Sequence, residues 1–488
     1  MLLKKTHDLI IFGTTGDLAQ RKLFPALYQL EKKKYLISSM RIIGVSRTNY
    51  TTEEYLKIIY DSLKKFLNEN IQPSIWKSFK KRFIFITIDI NQIQDFIKLT
   101  PYFKKKNSTI INYLAVSSDM FKKIFEGLSL IKLNKLNSKI VVEKPIGKSL
   151  STFSIIEKSI KKYFSKKNIF RIDHYLGKKT ILNLIKLKFF NPIFNKYLHK
   201  NYIDHVQITL SESIGIENRW SYFNNTGQII DMVQNHILQI ISIFAMKIPK
   251  LFNRKNICDE KIKILKSLRT INKKNIHSYV SLGQYSSGKI NNHIVKAYID
   301  EKKAQKNSST ETFVAIKLYI DTKQWKNVPF YIRTGKRLFK KSSKIVIFFK
   351  NQHNILFKNK YIHSTLNRMT INLQPIFNKV ITNNKTKGLQ LNSNTTYKKN
   401  ELFSNDKQLF LKNYNLEEYE RLLLEITQNR QFLFVQHKEV IYAWKWIDPI
   451  IQAYKNYPIL LQYYNSGTWG PQSAFNLIKK DKKKWDNN

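Results

Sequence analysis

The sequence predicts an α/β + α+β protein: a Rossmann-type doubly wound parallel sheet first, then a larger domain with a mainly antiparallel sheet and helices. Three observations carry this. Short apolar runs of strand length alternate with polar, lysine-rich helical stretches through roughly the first third of the chain, the rhythm of a parallel sheet. The first run, His7 to Phe12, passes directly into the turn Gly13-Thr14-Thr15-Gly16-Asp17-Leu18-Ala19 and then a helical pattern from Gln20 to Leu30. Beyond Lys178 the rhythm changes to alternating strands with fewer intervening helices, as in an antiparallel sheet. The expected division is therefore 1–175 as a dinucleotide-binding domain and 176–488 as an α+β domain.

Each element has its own signal. Strand, glycine turn and helix form a phosphate cradle, because glycine allows close backbone approach and a helix N-terminus presents unpaired N–H groups. This G-x-x-G-D turn is shorter than the full G-x-G-x-x-G, and an ordinary tight βα turn reads the same way. The second strand, Arg41 to Val45, ends in Ser46-Arg47, where an acidic residue would select NAD and an arginine accommodates the 2′-phosphate of NADP. Arg47 thus favours NADP, with NAD as the weaker alternative. Further strands are expected at Phe83 to Ile90, Thr109 to Val116 and Lys139 to Val142. The last ends in Glu143-Lys144-Pro145, an ammonium and a proline that can be cis at the edge where such sheets bind ligands.

The octet Arg171-Ile172-Asp173-His174-Tyr175-Leu176-Gly177-Lys178 gathers a carboxylate, an imidazole, a phenol and an ammonium. If a helix starts near Asp173, His174 and Lys178 fall four apart on one face, where two donors can grip an anion, while Asp173 is placed to orient a distant histidine. An exposed helix start with a capping Asp fits the octet equally. Farther on, Asp204 to Glu212 alternates like a half-buried antiparallel strand. Tyr222 to Ala245 reads as one helix that carries Asp231 and Asn235 on one face and His236 about 100° further round. Strands follow at Thr312 to Asp321, Pro329 to Arg333 and Lys344 to Lys350, with the basic loop Arg333 to Lys341 between the last two. Asn384 to Asn405 reads as a surface excursion, and Glu417 to Phe434 as a helix.

Composition bounds the function. The formal net charge is +51, from 85 Lys and Arg against 34 Asp and Glu, which by itself argues for a polyanion partner. The excess is mostly lysine, spread end to end beside abundant Ile and Asn, so it reads as coding bias; no specific nucleic-acid partner is expected. Cys258 is the only cysteine, which excludes an internal disulfide and a cysteine-based zinc site. No metal cluster, membrane span or export signal is expected, and cytoplasm is the default location.

The motifs, in their order and spacing, resemble the glucose-6-phosphate dehydrogenase family over nearly the whole length. They include GTTGDLAQRKLFPALY from Gly13, VVEKPIG from Val141, RIDHYLGK from Arg171, IDHVQITLSESIGIENRWSYF from Ile203, DMVQNH from Asp231, TETFVAIKL from Thr310, PFYIRTGKRL from Pro329, EYERLLLE from Glu418 and GTWGP from Gly467. The resemblance implies oxidation of glucose 6-phosphate with NADP, in a homodimer or homotetramer. It implies that His236 is the general base and Asp173 its orienting carboxylate. It further assigns His174, Tyr175 and Lys178 to the 6-phosphate, Glu212 and Asp231 to sugar hydroxyls, Lys144 to a place between sugar and nicotinamide, and Lys336 and Lys341 to the substrate loop. Gly13, Thr14, Thr15, Gly16, Asp17, Leu18, Arg47, Tyr113 and more loosely Asp89 and Ile90 correspond to the cofactor set. Departures are Ile230 where relatives carry arginine, Ser117-Ser118 in place of paired prolines, Gln20 for a basic residue, and a divergent segment from about Gln374 to Asn415. Two other readings remain at this point: a polyanion-binding protein that keeps the fold without the chemistry, and a sugar oxidoreductase with another substrate.

Overall fold

The computed structural model describes residues 6–103, 108–350, 368–374, 380–382, 416–456 and 461–487. The expected excursion at Asn384 to Asn405 lies outside them, as does most of the divergent segment. The chain divides into two compact units, Met1–Lys178 with Gln408–His437, and Lys179–Lys407 with Lys438–Asn488. A return segment thus joins the first unit, whereas the sequence reading assigned everything after residue 175 to the second.

The first unit is built on strands β1 (Thr6–Phe12), β2 (Arg41–Ser46), β3 (Phe83–Thr87), β4 (Ser108–Leu114), β5 (Ser138–Val142) and β6 (Ile169–Arg171). They form one parallel sheet in the order β3-β2-β1-β4-β5-β6, which reverses direction between β1 and β4. Both β4 and β5 are buried along their full length, and this is why they read as continuous apolar runs and not as alternating ones. β3 stops at Thr87 and β4 at Leu114, short of the expected Ile90 and Val116. The return segment supplies the helix Glu418–Thr427, which ends before the expected Phe434. The return segment is tied to this unit by Lys139 Nζ donating to the Ile426 carbonyl at 2.6 Å, a 2.5 Å ion pair from Lys33 to Glu420, and Val435 N–H donating to Arg171 O at 3.0 Å.

The second unit holds β7 (Ile203–Ser211), β8 (Val280–Ser286), the small hairpin β9 (Gly288–Ile290) and β10 (His293–Val295), β11 (Phe313–Leu318), β12 (Phe330–Gly335), β13 (Ser342–Phe349), β14 (Arg368–Gln374), β15 (Val380–Thr382) and β16 (Leu461–Asn465). Eight of them form a sheet in the order β15-β14-β13-β7-β12-β11-β8-β16. It is mainly antiparallel, but β7 with β12 and β8 with β16 pair in parallel. β7 is therefore not the half-buried antiparallel strand its sequence suggested. It lies inside the sheet between β12 and β13, and every residue except Asp204 is buried.

Candidate active site

In the first unit the glycine turn follows β1 at the point where the strand order reverses. Gly13 has φ +82°, and a Cβ there would lie 2.6 Å from the Ala115 carbonyl oxygen, so the turn requires glycine. The N–H groups of Gly13 and Thr14 both donate to Val45 O. Thr14 is fully buried and its hydroxyl pairs with Tyr55 at 2.6 Å, Thr15 O accepts from Gln20, and Asp17 forms an exposed ion pair with Arg21 at 2.9 Å. Leu18 immediately precedes the wide helical turn Ala19–Leu23, and Arg47 is exposed just past β2. Asp89 and Ile90 are half-buried beyond the end of β3, where Asp89 accepts from Asn91. A turn that requires glycine at its first position, at a strand-order switch, with an exposed arginine at the neighbouring strand end, fits a dinucleotide phosphate.

At the end of β5, Glu143 and Lys144 precede Pro145, whose peptide bond is cis. Tyr113, fully buried, gives its hydroxyl to Glu143 at 2.5 Å. Burial pushes the Glu143 carboxyl up to about 7, against the hydroxyls of Tyr113 and Tyr419 and the charge of Lys144, which hold it down, while nearby Asp173 raises it further. Sequence reasoning missed both Glu143 and Tyr419. Glu143 sits inside a recognised motif, but its second tyrosine arrives from the return segment, and no local signal announces that.

The octet folds differently from the expected helix face. Asp173 is the N-cap of a helix only four residues long, His174–Gly177, its Oδ1 accepting from Tyr175 N–H at 3.0 Å. Lys178 is already extended, with φ −71° and ψ 137°, so no shared helical face joins it to His174. The Tyr175 ring joins them instead. Lys178 Nζ lies 3.5 Å from its centroid and the His174 ring 5.1 Å from it, while Tyr419 stacks on His174 at 6.2 Å and 17°. The helix ends because the Gly177 carbonyl is turned to the Arg421 guanidinium, 244 positions away, and a Cβ on Gly177 would meet Glu418 O at 2.8 Å. The adjacent Arg171 is buried in a two-oxygen ion pair with Glu157, at 2.8 Å to each.

In the second unit the expected continuous helix is broken. Trp220–Gln228 is kinked at Gly227, with φ +64°, and Ile229–Ile237 is a π-helix before regular helix resumes at Leu238–Ala245. DMVQNH thus lies in a segment with i→i+5 hydrogen bonding. Positions five apart come nearer to register there than in an α-helix, so the angular reading that separated Asp231 from His236 does not hold. His236 is buried and Asp231 half-buried. Asn235 fastens this turn: its Oδ1 accepts from the His236 N–H at 2.6 Å and its Nδ2 donates to Ile230 O at 2.9 Å. The sequence reading placed Asn235 only as a face-mate of Asp231.

Glu311 anchors the other end. Its Oε1 accepts from Ile229 N–H at 3.0 Å and its carbonyl from Gln228 N–H at 3.0 Å, and a Cβ on Gly227 would lie 2.4 Å from that carboxylate. Burial pushes the Glu311 carboxyl from its ordinary 4.5 up to about 7, against the Ile229 N–H that holds it down. A carboxyl that binds its proton more tightly folded than unfolded contributes stability below about 4.5 and loses it as the pH rises through about 7. Glu311→Gln keeps an acceptor oxygen without the titration. Denaturant titrations should therefore give a wild-type minus variant difference that shifts by on the order of 3 kcal/mol between about pH 4 and 8. A constant difference would contradict the assignment.

Glu212 follows β7 and forms a 2.5 Å ion pair with Lys336, which is buried with its Nζ 5.1 Å from the Phe223 ring centroid. Lys336 is thus held in place by Glu212 and not carried on an open basic loop, while Lys341 is exposed beside the start of β13.

The strand order, the glycine turn and the α+β unit define the class: a nicotinamide-dinucleotide oxidoreductase with a Rossmann domain and a second, α+β unit. Residues 10–183 match the family model described as glucose-6-phosphate dehydrogenase, NAD binding domain, and residues 185–486 that of its C-terminal domain. The chain belongs to the glucose-6-phosphate dehydrogenase family. It is 47% identical over 485 residues to a glucose-6-phosphate 1-dehydrogenase of Buchnera aphidicola subsp. Schizaphis graminum, covering 98% of each. It is 41% identical over 481 residues to that of Dickeya dadantii, covering 98% of this chain and 97% of the relative. A solved glucose-6-phosphate dehydrogenase in complex with its substrate matches at 25% identity with a TM-score of 0.82, covering 99% of both chains.

Proposed function

We propose that this chain oxidises D-glucose 6-phosphate at C1 to 6-phospho-D-glucono-1,5-lactone with NADP, the first step of the oxidative pentose phosphate pathway. The observation that carries the reading is the cluster of His174, Tyr175 and Lys178 in a chain of this family that also bears Asp231 and His236 on one π-helical turn. NADP would be held by Gly13 to Leu18, Arg47, Tyr113, Lys144 and more loosely Asp89 and Ile90, and its nicotinamide would supply the hydride acceptor. His236 takes the proton from the C1 hydroxyl, and Asp173 orients its imidazole and stabilises the imidazolium. His174, Tyr175 and Lys178 grip the 6-phosphate, so the remote dianion holds the reacting carbon in position. Glu212 and Asp231 accept hydrogen bonds from sugar hydroxyls, Lys336 keeps Glu212 oriented, and Lys144 and Lys341 complete the site.

The replacement of arginine by Ile230 removes a charge beside Asp231 but leaves the backbone tie intact, because Ile230 O still accepts from Asn235. We further assign the enzyme to the cytoplasm and to a homodimer or homotetramer. Among the described residues no helix is long and apolar enough to cross a membrane.

The phosphate grip is tested by comparing glucose with glucose 6-phosphate. The phosphorylated sugar should be preferred strongly in kcat/KM, and equal use of both would contradict the reading. Lys178→Ala should raise KM for glucose 6-phosphate by about 10- to 100-fold with a smaller change in kcat, the loss of one charge-assisted contact. An unchanged KM would remove Lys178 from the grip.

A further inference from the structure

The second unit carries a cleft of about 410 Å³ that none of the residues assigned above lines. Three lysines, Lys196, Lys247 and Lys323, converge on it from separate segments, together with His199. Lone surface lysines are ordinary in a chain with 85 basic residues against 34 acidic ones. Convergence in a concavity is different, because low-dielectric walls focus the field of like charges and favour an anion between them. Among the described residues no carboxylate lines the cleft and none of the three lysines forms an ion pair.

Three carbonyls beside the cleft that would repel an anion are already occupied. The helix Leu238–Ala245 ends at Met246, which lines the cleft, and a helix C-terminus carries negative partial charge. Its Phe244 carbonyl accepts from the buried Lys188 Nζ at 2.7 Å, and its Ala245 carbonyl from Trp325 Nε1 at 2.8 Å. The Leu198 carbonyl accepts from Gln324 Nε2 at 2.5 Å. His199 Nδ1 accepts from Asn201 N–H at 3.2 Å, which puts the ring proton on Nε2 and makes that nitrogen a donor. The rest of the lining combines amides, Asn195 and Gln324, with apolar surface from Leu198, Met246 and Ile248, the last 40% exposed. A cleft of this size with a cationic rim and an apolar wall suits a compact organic molecule bearing several phosphate charges.

We propose that this cleft binds a small organic polyphosphate of the nucleoside di- or triphosphate class, at a site separate from the substrate and cofactor residues. The lysine rim takes the phosphates, and Leu198, Met246 and Ile248 cover the apolar part. Full-length protein saturated with NADP, so that the cofactor site is filled, is titrated calorimetrically with ATP and separately with inorganic pyrophosphate. The cleft variant is Lys196→Ala/Lys247→Ala/Lys323→Ala. Lys57→Ala/Lys158→Ala/Lys302→Ala, at three other exposed lysines, is the charge-matched control. Wild type and control should bind ATP alike, with pyrophosphate weaker. The cleft variant should bind ATP about tenfold or more weakly, one lost ionic contact being enough for that factor. Turnover of glucose 6-phosphate should be the same in all three. Equal affinity in the two triple variants, or no ATP binding by wild type, would overturn the proposal.

Discussion

His236→Asn is expected to lower kcat by about 100- to 10,000-fold, the range that a positioned general base contributes, while the dissociation constant for glucose 6-phosphate changes little. Asparagine retains a polar side chain of similar reach but cannot take the proton from the C1 hydroxyl. The substitution should also spare the local backbone, because the bond that holds this position is made by the His236 main-chain N–H to Asn235 Oδ1 at 2.6 Å and is independent of the imidazole. Steady-state kinetics combined with equilibrium binding separate the two quantities. Normal turnover with a large loss of binding would identify the wrong base.

Asp486→Ala is expected to destabilise the protein by about 3–5 kcal/mol, the cost of stripping a buried cation of its partner. Asp486 is buried and its carboxylate meets Lys344 Nζ and Arg368 Nη1 at 2.5 Å each, while its carbonyl accepts from Arg333 Nη2 at 2.8 Å. Arg333 is itself buried between Trp469 and Trp485, at 4.4 and 4.6 Å from their ring centroids. Burial pulls its guanidinium down to about 9 even with the charge of Asp486 raising it, so removing that charge leaves the desolvation less compensated. Lys344 is likewise lowered by burial and raised by Asp486. Denaturant unfolding of the variant checks the value, and a loss below about 1 kcal/mol would mean that water or a neighbour replaces the carboxylate.

Much of the fold was legible because parallel central strands are buried on both faces and write themselves as unbroken apolar runs. β1, β2 and β5, the glycine turn and Arg47 could all be placed from such runs and the breaks between them. β7 misled the reading because its polar positions, Gln207 and Thr209, suggested a wet face. In the sheet they are buried, Gln207 Nε2 donating to Lys484 O at 2.8 Å and Thr209 Oγ1 accepting from Arg333 at 3.1 Å. The π-helical turn was invisible for a related reason. Apolar residues around DMVQNH satisfy a 3.6-residue period as well as a wider one, and the features that set the wider turn are Gly227 and the Glu311 carboxylate, 82 positions beyond the Ile229 N–H that it accepts from. In the octet the residue types pointed to an anion grip, but the geometry depends on Tyr175 as the joining ring and on Tyr419 and Arg421 from the return segment. Contacts made across such sequence distances leave no periodic trace.

The measurement that tests the account most directly is the appearance of reduced nicotinamide when purified protein is mixed with glucose 6-phosphate and NADP, then with NAD in its place. Stoichiometric reduction with both substrates present, faster with NADP than with NAD and absent when glucose 6-phosphate is omitted, is the predicted result. No reduction with either cofactor would contradict it.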